Sequence, residues 1–208
     1  MKRWPLIIAA ATSLAAGCST TTTMHYDLKS AADTQPTNQS TNLVRYQLAS
    51  INVPESLDVE TLIVRQPNNT LMVLSHDKWV APLSEVLQNA LSATLTQSLG
   101  NPPISSDMLS ARQTSAQTNA AKIFVDLQQF EMQPAKQASL GALWQIDMAG
   151  KPSQTITCYS TLSQSVSPGV APLVAAQQSN VQLLGQQIAA TLKTGVPPAN
   201  ANCQTQKT

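Results

Sequence analysis

Apolar and polar residues alternate in short stretches along much of this chain, and two longer runs repeat their apolar residues at helical spacing instead. Val44, Tyr46 and Leu48 alternate as in a strand with one buried face. The apolar phase then shifts to Ile51 and Val53, which predicts a bulge or bend near Ser50, and Pro54 ends the segment. Leu62-Ile63-Val64 and Leu71-Met72-Val73-Leu74 flank the turn formers Gln66-Pro67-Asn68-Asn69, the pattern of a hairpin. Ile123, Val125 and Leu127 alternate, while Phe130 and Met132 continue in the other phase. Leu140, Ala142, Trp144, Ile146 and Met148 alternate without a break. After a turn at Ala149-Gly150-Lys151-Pro152, Thr155, Thr157, Tyr159 and Thr161 form one face of a returning strand, and Ile156, Cys158 and Leu162 the other.

The first helical run is Val80, Leu83, Leu87, Ala90, Leu91, Thr94, Leu95 and Ser98, with Val86 widening the stripe. Pro82 suits its first turn, Gly100 its C-terminal cap, and Pro102 lies beyond. The second is Val170, Leu173, Val174, Val181, Leu184, Ile188 and Leu192, with Pro172 early and Gly195 as its stop. Gly185 inside it should weaken the helix by up to about 1 kcal/mol relative to Ala. Between the helices, residues 101–120 are polar, with a short strand expected at Ile104 and a weak helical turn near Leu109. The order strands, helix, strands, helix predicts an α+β domain: a mostly antiparallel sheet with two main helices packed on one face.

The N-terminus carries a different signal. Met1, Lys2 and Arg3 precede an apolar run from Trp4 to Ala11, and Leu14-Ala15-Ala16-Gly17 leads into Cys18. A basic start, a short apolar stretch and small residues before a cut site define a secretory signal. The run falls short of the roughly 20 residues that span a bilayer. Residues 14–17 fit a lipobox, in which the Cys18 thiol takes a diacylglycerol. Acyl chains hold a protein on a bilayer at roughly 0.8 kcal/mol per buried CH2. Ser19, rather than Asp, follows the cysteine, which favours the outer membrane. The expected organisation is a signal peptide at 1–17, a lipidated Cys18 with a flexible Ser/Thr/Gln/Asn-rich tether at 18–42, a domain at 43–195 and a mobile polar tail at 196–208. Within the tether, Tyr26 and Leu28 can start a short edge strand.

Composition removes several function classes. Charged residues make up only 11%, against roughly 25% in average proteins. The 12 Lys and Arg nearly balance the 11 Asp and Glu, so there is no basic footprint for nucleic acid and no polybasic membrane face. His25 falls in the tether. His76 with Asp77 reads as a solvated approach to the first helix, and no metal-binding, nucleophile-elbow or phosphate-loop spacing occurs. On a regular strand, Asp126 and Glu131 point to opposite faces and cannot pair; Asp126 and Asp147 read as rim charges. No catalytic residue, metal or cofactor is expected. Trp144 belongs to an alternating strand face and reads as core. Trp79 reads either as a cap on the core or as part of a partner interface, where Trp is enriched. Lipidation of Cys18 leaves Cys158 and Cys203 in an oxidising compartment, where they are expected to pair and pin the tail across the final helix. The alternative is a buried free Cys158 with a loose tail.

Taken in order, His25-Tyr26-Asp27-Leu28, Val53-Pro54-Glu55-Ser56-Leu57, Trp79-Val80-Ala81-Pro82-Leu83, the strand Ile123 to Phe130 and the helical Val174-Ala175-Ala176 resemble the ABC-type transport auxiliary lipoproteins. The chain departs from that pattern in having Pro54 directly after Val53, a Thr/Gln-rich surface and an extra C-terminal tail. The resemblance implies a non-enzymatic accessory of a system moving lipids or similar hydrophobic molecules between inner and outer membranes. It implies an outer-membrane position held by acyl chains, a periplasm-spanning MCE-domain protein as partner, and assembly with further copies as an option. One rival is a regulatory lipoprotein that contacts a cell-wall synthase, which needs a longer disordered arm. Another is a carrier that holds lipid in its own apolar cavity.

Overall fold

Each phase shift in the apolar pattern coincides with a break in strand register. The computed structural model describes residues 22–29, 44–104, 120–148 and 154–207. The elements are β1 (Met24–Tyr26), β2 (Tyr46–Leu48), β3 (Thr61–Arg65), β4 (Leu71–Trp79), α1 (Leu83–Leu99), β5 (Ala121–Gln133), β6 (Gln137–Met148), β7 (Gln154–Ser165), α2 (Val170–Thr194) and β8 (Asn202–Lys207). Leu48 of β2 lies opposite Ile123, while Asn52 bridges to Asp126, so one extra residue is accommodated around Ser50. In β5 the register slips between Leu127 and Gln129. That bulge returns Phe130 and Met132 to the buried face already occupied by Ile123, Val125 and Leu127.

The α+β arrangement holds, with the strands divided between two sheets rather than gathered in one. The larger has the order β2-β5-β6-β7-β8 and the smaller β1-β4-β3. Strands β5 to β8 pair antiparallel, and β2 joins β5 in parallel. Both helices lie on one side. α2 packs on β6 and β7, and α1 packs along α2. The buried faces of the long strands and the two helical stripes form one core.

Both ends of the domain reach further than the expected 43–195. Met24–Tyr26 pairs in parallel with Asp77–Trp79 as the short edge strand expected within the tether, and Leu28 is buried in the core, so this stretch belongs to the domain. At the other end, Asn202–Lys207 of the supposed mobile tail pairs with β7 and completes the large sheet. It runs beside β7 rather than across the final helix. Residues 1–21 and 30–43, which hold the expected signal sequence, Cys18 and most of the expected tether, lie outside the described residues, as do the turn at 149–153 and Leu109. Ile104 donates its amide to the Tyr46 carbonyl (2.8 Å) but forms no strand.

The strand–helix junction also differs from the expected one. β4 continues through His76 and Asp77 to Trp79, and α1 begins only at Leu83. Pro82 therefore stands just before the helix, at the capping position, and Val80 is exposed. Proline has no side chain to cap with, and the carboxylate of Asp58 takes that role from a neighbouring loop. It accepts from the Ser84 amide (2.8 Å) and the Ser84 hydroxyl (3.0 Å).

Candidate functional site

The structure scatters the sequence-derived candidates. Cys18 lies outside the described residues. Cys158 and Cys203 face each other across β7 and β8, bonded through their sulfurs with their Cα atoms 4.0 Å apart. Trp79 is only 3% exposed and packs edge-on to Phe130, ring centroids 6.1 Å apart, where it joins the small sheet to the large one. It is a core residue and offers no surface to a partner. His25 and His76 are exposed on β1 and β4. Asp77 accepts a hydrogen bond from the Tyr26 hydroxyl (3.0 Å), and burial, followed by this bond, raises the Tyr26 pKa.

Asp126 and Glu131 do not sit on opposite faces as expected. The bulge between them reverses the parity, and both point away from the core. They still form no pair, since their partners Leu143 and Ser139 stand four residues apart on β6, about 13 Å at roughly 3.3 Å per residue. Asp126 accepts from Asn52 Nδ2 (3.0 Å), and Glu131 pairs with Arg65 Nε (2.9 Å). Among the described residues, no three His, Cys, Asp or Glu side chains converge to hold a metal ion.

The surface that stands out is the outer face of the large sheet, opposite the helices. Residues directly across a strand pair share a face, so Phe124 with Gln145, Asp126 with Leu143, and Leu143 with Tyr159 form a patch over three strands. Phe124, Leu143 and Tyr159 are all exposed. Ser50, Asn52, Phe124, Asp126, Leu143, Gln145 and Thr157 outline a shallow groove of about 230 Å³. Its rim is polar and internally bonded: Gln145 and Thr155 both donate to Asp147 (2.9 and 3.0 Å). Gly141 makes room for the aromatic ring, since a Cβ there would stand 2.8 Å from the Tyr159 hydroxyl. An apolar centre with a polar rim is the build of a docking surface.

A second polar feature lies under α2 and escaped the sequence reading. Trp144 Nε1 donates to Ser160 Oγ (2.9 Å), which donates to Gln187 Oε1 (2.7 Å). Gln177 Nε2 donates to the carbonyls of Glu131 (2.9 Å) and Ser139 (3.1 Å), and Asn180 Nδ2 to the carbonyl of Ala138 (3.1 Å). These amides fix where the helix sits on the sheet. The available signal was the gap in the apolar stripe between Val174 and Val181, where Gln177 occupies a position that faces the core.

The comparisons with known proteins follow this architecture. An uncharacterised protein of known structure shares the fold with a TM-score of 0.62 at 18% identity, over 82% of this chain and 99% of its own. A Xanthomonas campestris protein of the DUF330 family shares it with a TM-score of 0.54, also at 18% identity, over 83% of this chain and 96% of its own. Likeness at this identity shows the fold alone. A search of curated proteins finds no match. The sequence profile of the ABC-type transport auxiliary lipoprotein component matches residues 26–189, from the end of β1 into the last turns of α2. The chain belongs to that family, and is a lipoprotein accessory of a transport system.

Proposed function

We propose that this chain is a non-enzymatic outer-membrane lipoprotein, anchored through Cys18, that docks the distal end of a periplasm-spanning MCE-domain protein. The system it serves moves lipids or similar hydrophobic molecules between the membranes. The family match along residues 26–189 carries this reading. The outer face around Phe124, Leu143 and Tyr159 supports it as the contact surface, because it is apolar, exposed and rimmed by polar groups. No helix among the described residues is long and apolar enough to cross a membrane.

Two features weigh against the rivals. A regulator of a cell-wall synthase needs a long arm, whereas only residues 19–23 separate Cys18 from β1. A lipid carrier needs an interior cavity, whereas the apolar void among Ile51, Leu87, Leu91, Val125, Leu140 and Leu184 holds about 10 Å³, room for about one water. A photo-crosslinking residue at Phe124 or Leu143, activated in cells, should capture an MCE-domain protein. Capture of a cell-wall synthase instead, or of no transport component from either position, refutes the reading. Replacing His76 and Asp77 together, away from the proposed contact face, should leave transport intact; loss of transport with an unchanged unfolding curve would point to catalysis.

A further inference from the structure

The β3–β4 hairpin ends in three consecutive exposed apolar residues. Leu71 is 60% exposed, Met72 43% and Val73 57%. A run of this kind on a soluble surface calls for a covering, and open strand edges are ordinarily blunted with charges. Here the edge is open: β1 covers only Asp77–Trp79 of β4, so Leu71–His76 has β3 on one side and no strand on the other among the described residues. From Gln66 to His76 the chain carries no acidic residue, and Arg65 is engaged by Glu131.

The geometry points to the bilayer that holds Cys18 as the covering: the tip of the β3–β4 hairpin, Leu71-Met72-Val73, rests in the membrane interface. The inference rests on lipidation of Cys18 and adds an orientation to it. Five residues, 19–23, connect Cys18 to Met24, a reach of at most roughly 20 Å at about 3.5 Å per residue. The membrane surface therefore lies within that distance of β1. Because β1 runs parallel to β4, the chain arrives at Met24 from the side on which Leu71–His76 lies. Met24 is itself 52% exposed. The chain's entry at Met24 and the apolar tip thus sit at the same end of the small sheet. At interfacial depth, water and lipid headgroups satisfy the open N–H and C=O groups of β4, which the hydrocarbon core would not do. An uncharged turn at Gln66-Pro67-Asn68-Asn69-Thr70 suits that depth, and the absence of acidic residues avoids repulsion from anionic lipid.

The test uses full-length mature protein purified from membranes, its acyl mass measured, with a nitrobenzoxadiazole label on Val73→Cys. A control carries the label on Val196→Cys. Val196 lies beyond the C-terminal end of α2, which Lys193 ties to the far end of α1 (Nζ to the Ser98 carbonyl, 2.6 Å). α1 places that end roughly 25 Å from the small sheet at 1.5 Å rise per residue. Both proteins are reconstituted into phosphatidylcholine–phosphatidylglycerol vesicles with and without brominated acyl chains. Bromine should quench the Val73 label at least threefold more than the Val196 label. Equal quenching in acylated protein overturns the hairpin placement and leaves the anchor standing. A Val73 label shielded from aqueous iodide but not quenched by bromine overturns it in favour of a second copy or an added strand. Absence of the acyl mass overturns the anchor and the placement together. Met72→Cys gives the same readout if Val73→Cys does not fold.

Discussion

Gly185→Ala separates two opposed physical effects at one position. In an isolated helix, Ala is more favourable than Gly by about 0.8–1 kcal/mol, so propensity alone makes the substitution stabilising. The structure places a new Cβ 2.6 Å from Thr94 Cγ2, 2.9 Å from Thr94 Cβ and 3.2 Å from Leu91 Cδ1. Carbon atoms in contact prefer about 3.5–4.0 Å, so α1 and α2 must move apart by about 1 Å. Thr94 cannot swing aside, because it is β-branched, fully buried and donates its hydroxyl to the Ala90 carbonyl (3.0 Å). Overpacking of this kind costs about 1–3 kcal/mol, and separating the helices also loosens Leu91, Leu184 and Ile188. The expected net effect is a loss of about 1–2 kcal/mol, or about 2–8 °C in Tm for a domain of this size. Urea unfolding followed by tryptophan fluorescence measures it, since Trp79 and Trp144 are both buried. Thr94→Ser removes the nearest methyl and keeps the hydroxyl bond, so the cost of Gly185→Ala should be smaller in that background. A stabilised Gly185→Ala, or an unchanged cost beside Thr94→Ser, would refute the close-approach argument.

Mass spectrometry of non-reduced mature protein should show Cys158 joined to Cys203, and two alkylatable thiols would contradict it; closing a loop with a sequence separation of 45 stabilises by about 4 kcal/mol in the chain-entropy model, so Cys158→Ser with Cys203→Ser should lower stability and speed hydrogen exchange in β8 before α2. Asp58→Ala removes the cap on α1 and should cost about 1 kcal/mol in urea unfolding, with Asp58→Asn costing less because its side-chain oxygen still accepts. Burial pushes the Tyr46 phenol up to about 12 from 10.0. The folded state therefore holds that proton more tightly, and this contribution is complete below pH 10 and lost as pH rises through 12. Tyr46→Phe should flatten the stability profile across that window, and an unchanged alkaline slope would argue against it.

What the sequence by itself determined is whatever depends on near neighbours along the chain. The alternating strands, the two helical stripes and the hairpin around Asn68 follow from which side of each element is apolar. The bulge near Ser50 was legible, because a one-residue insertion in a strand reverses the apolar phase on either side of it; the same reversal between Leu127 and Phe130 was read without its bulge, which put Asp126 and Glu131 on the wrong faces. The expected lipobox rests on a contiguous motif in the same way. Tertiary structure alone decided the contacts between distant segments. β8 reads Asn202-Cys203-Gln204-Thr205-Gln206-Lys207, with no apolar alternation to announce a strand; it is a strand because β7 offers it a ladder of hydrogen bonds and Cys158 a partner for its sulfur. The edge strand suggested at Tyr26 is β1, but only the fold decides its partner, a segment 53 positions away that it joins in parallel. Trp79 is buried because Phe130 of another sheet packs against it, which a single strand cannot reveal. Gln177, Asn180 and Gln187 are polar residues in a core position, tolerable only because carbonyls of β5 and β6 and the Ser160 hydroxyl meet them there. A buried amide costs free energy until it finds its partner, and that partner exists only once the helix has docked on the sheet.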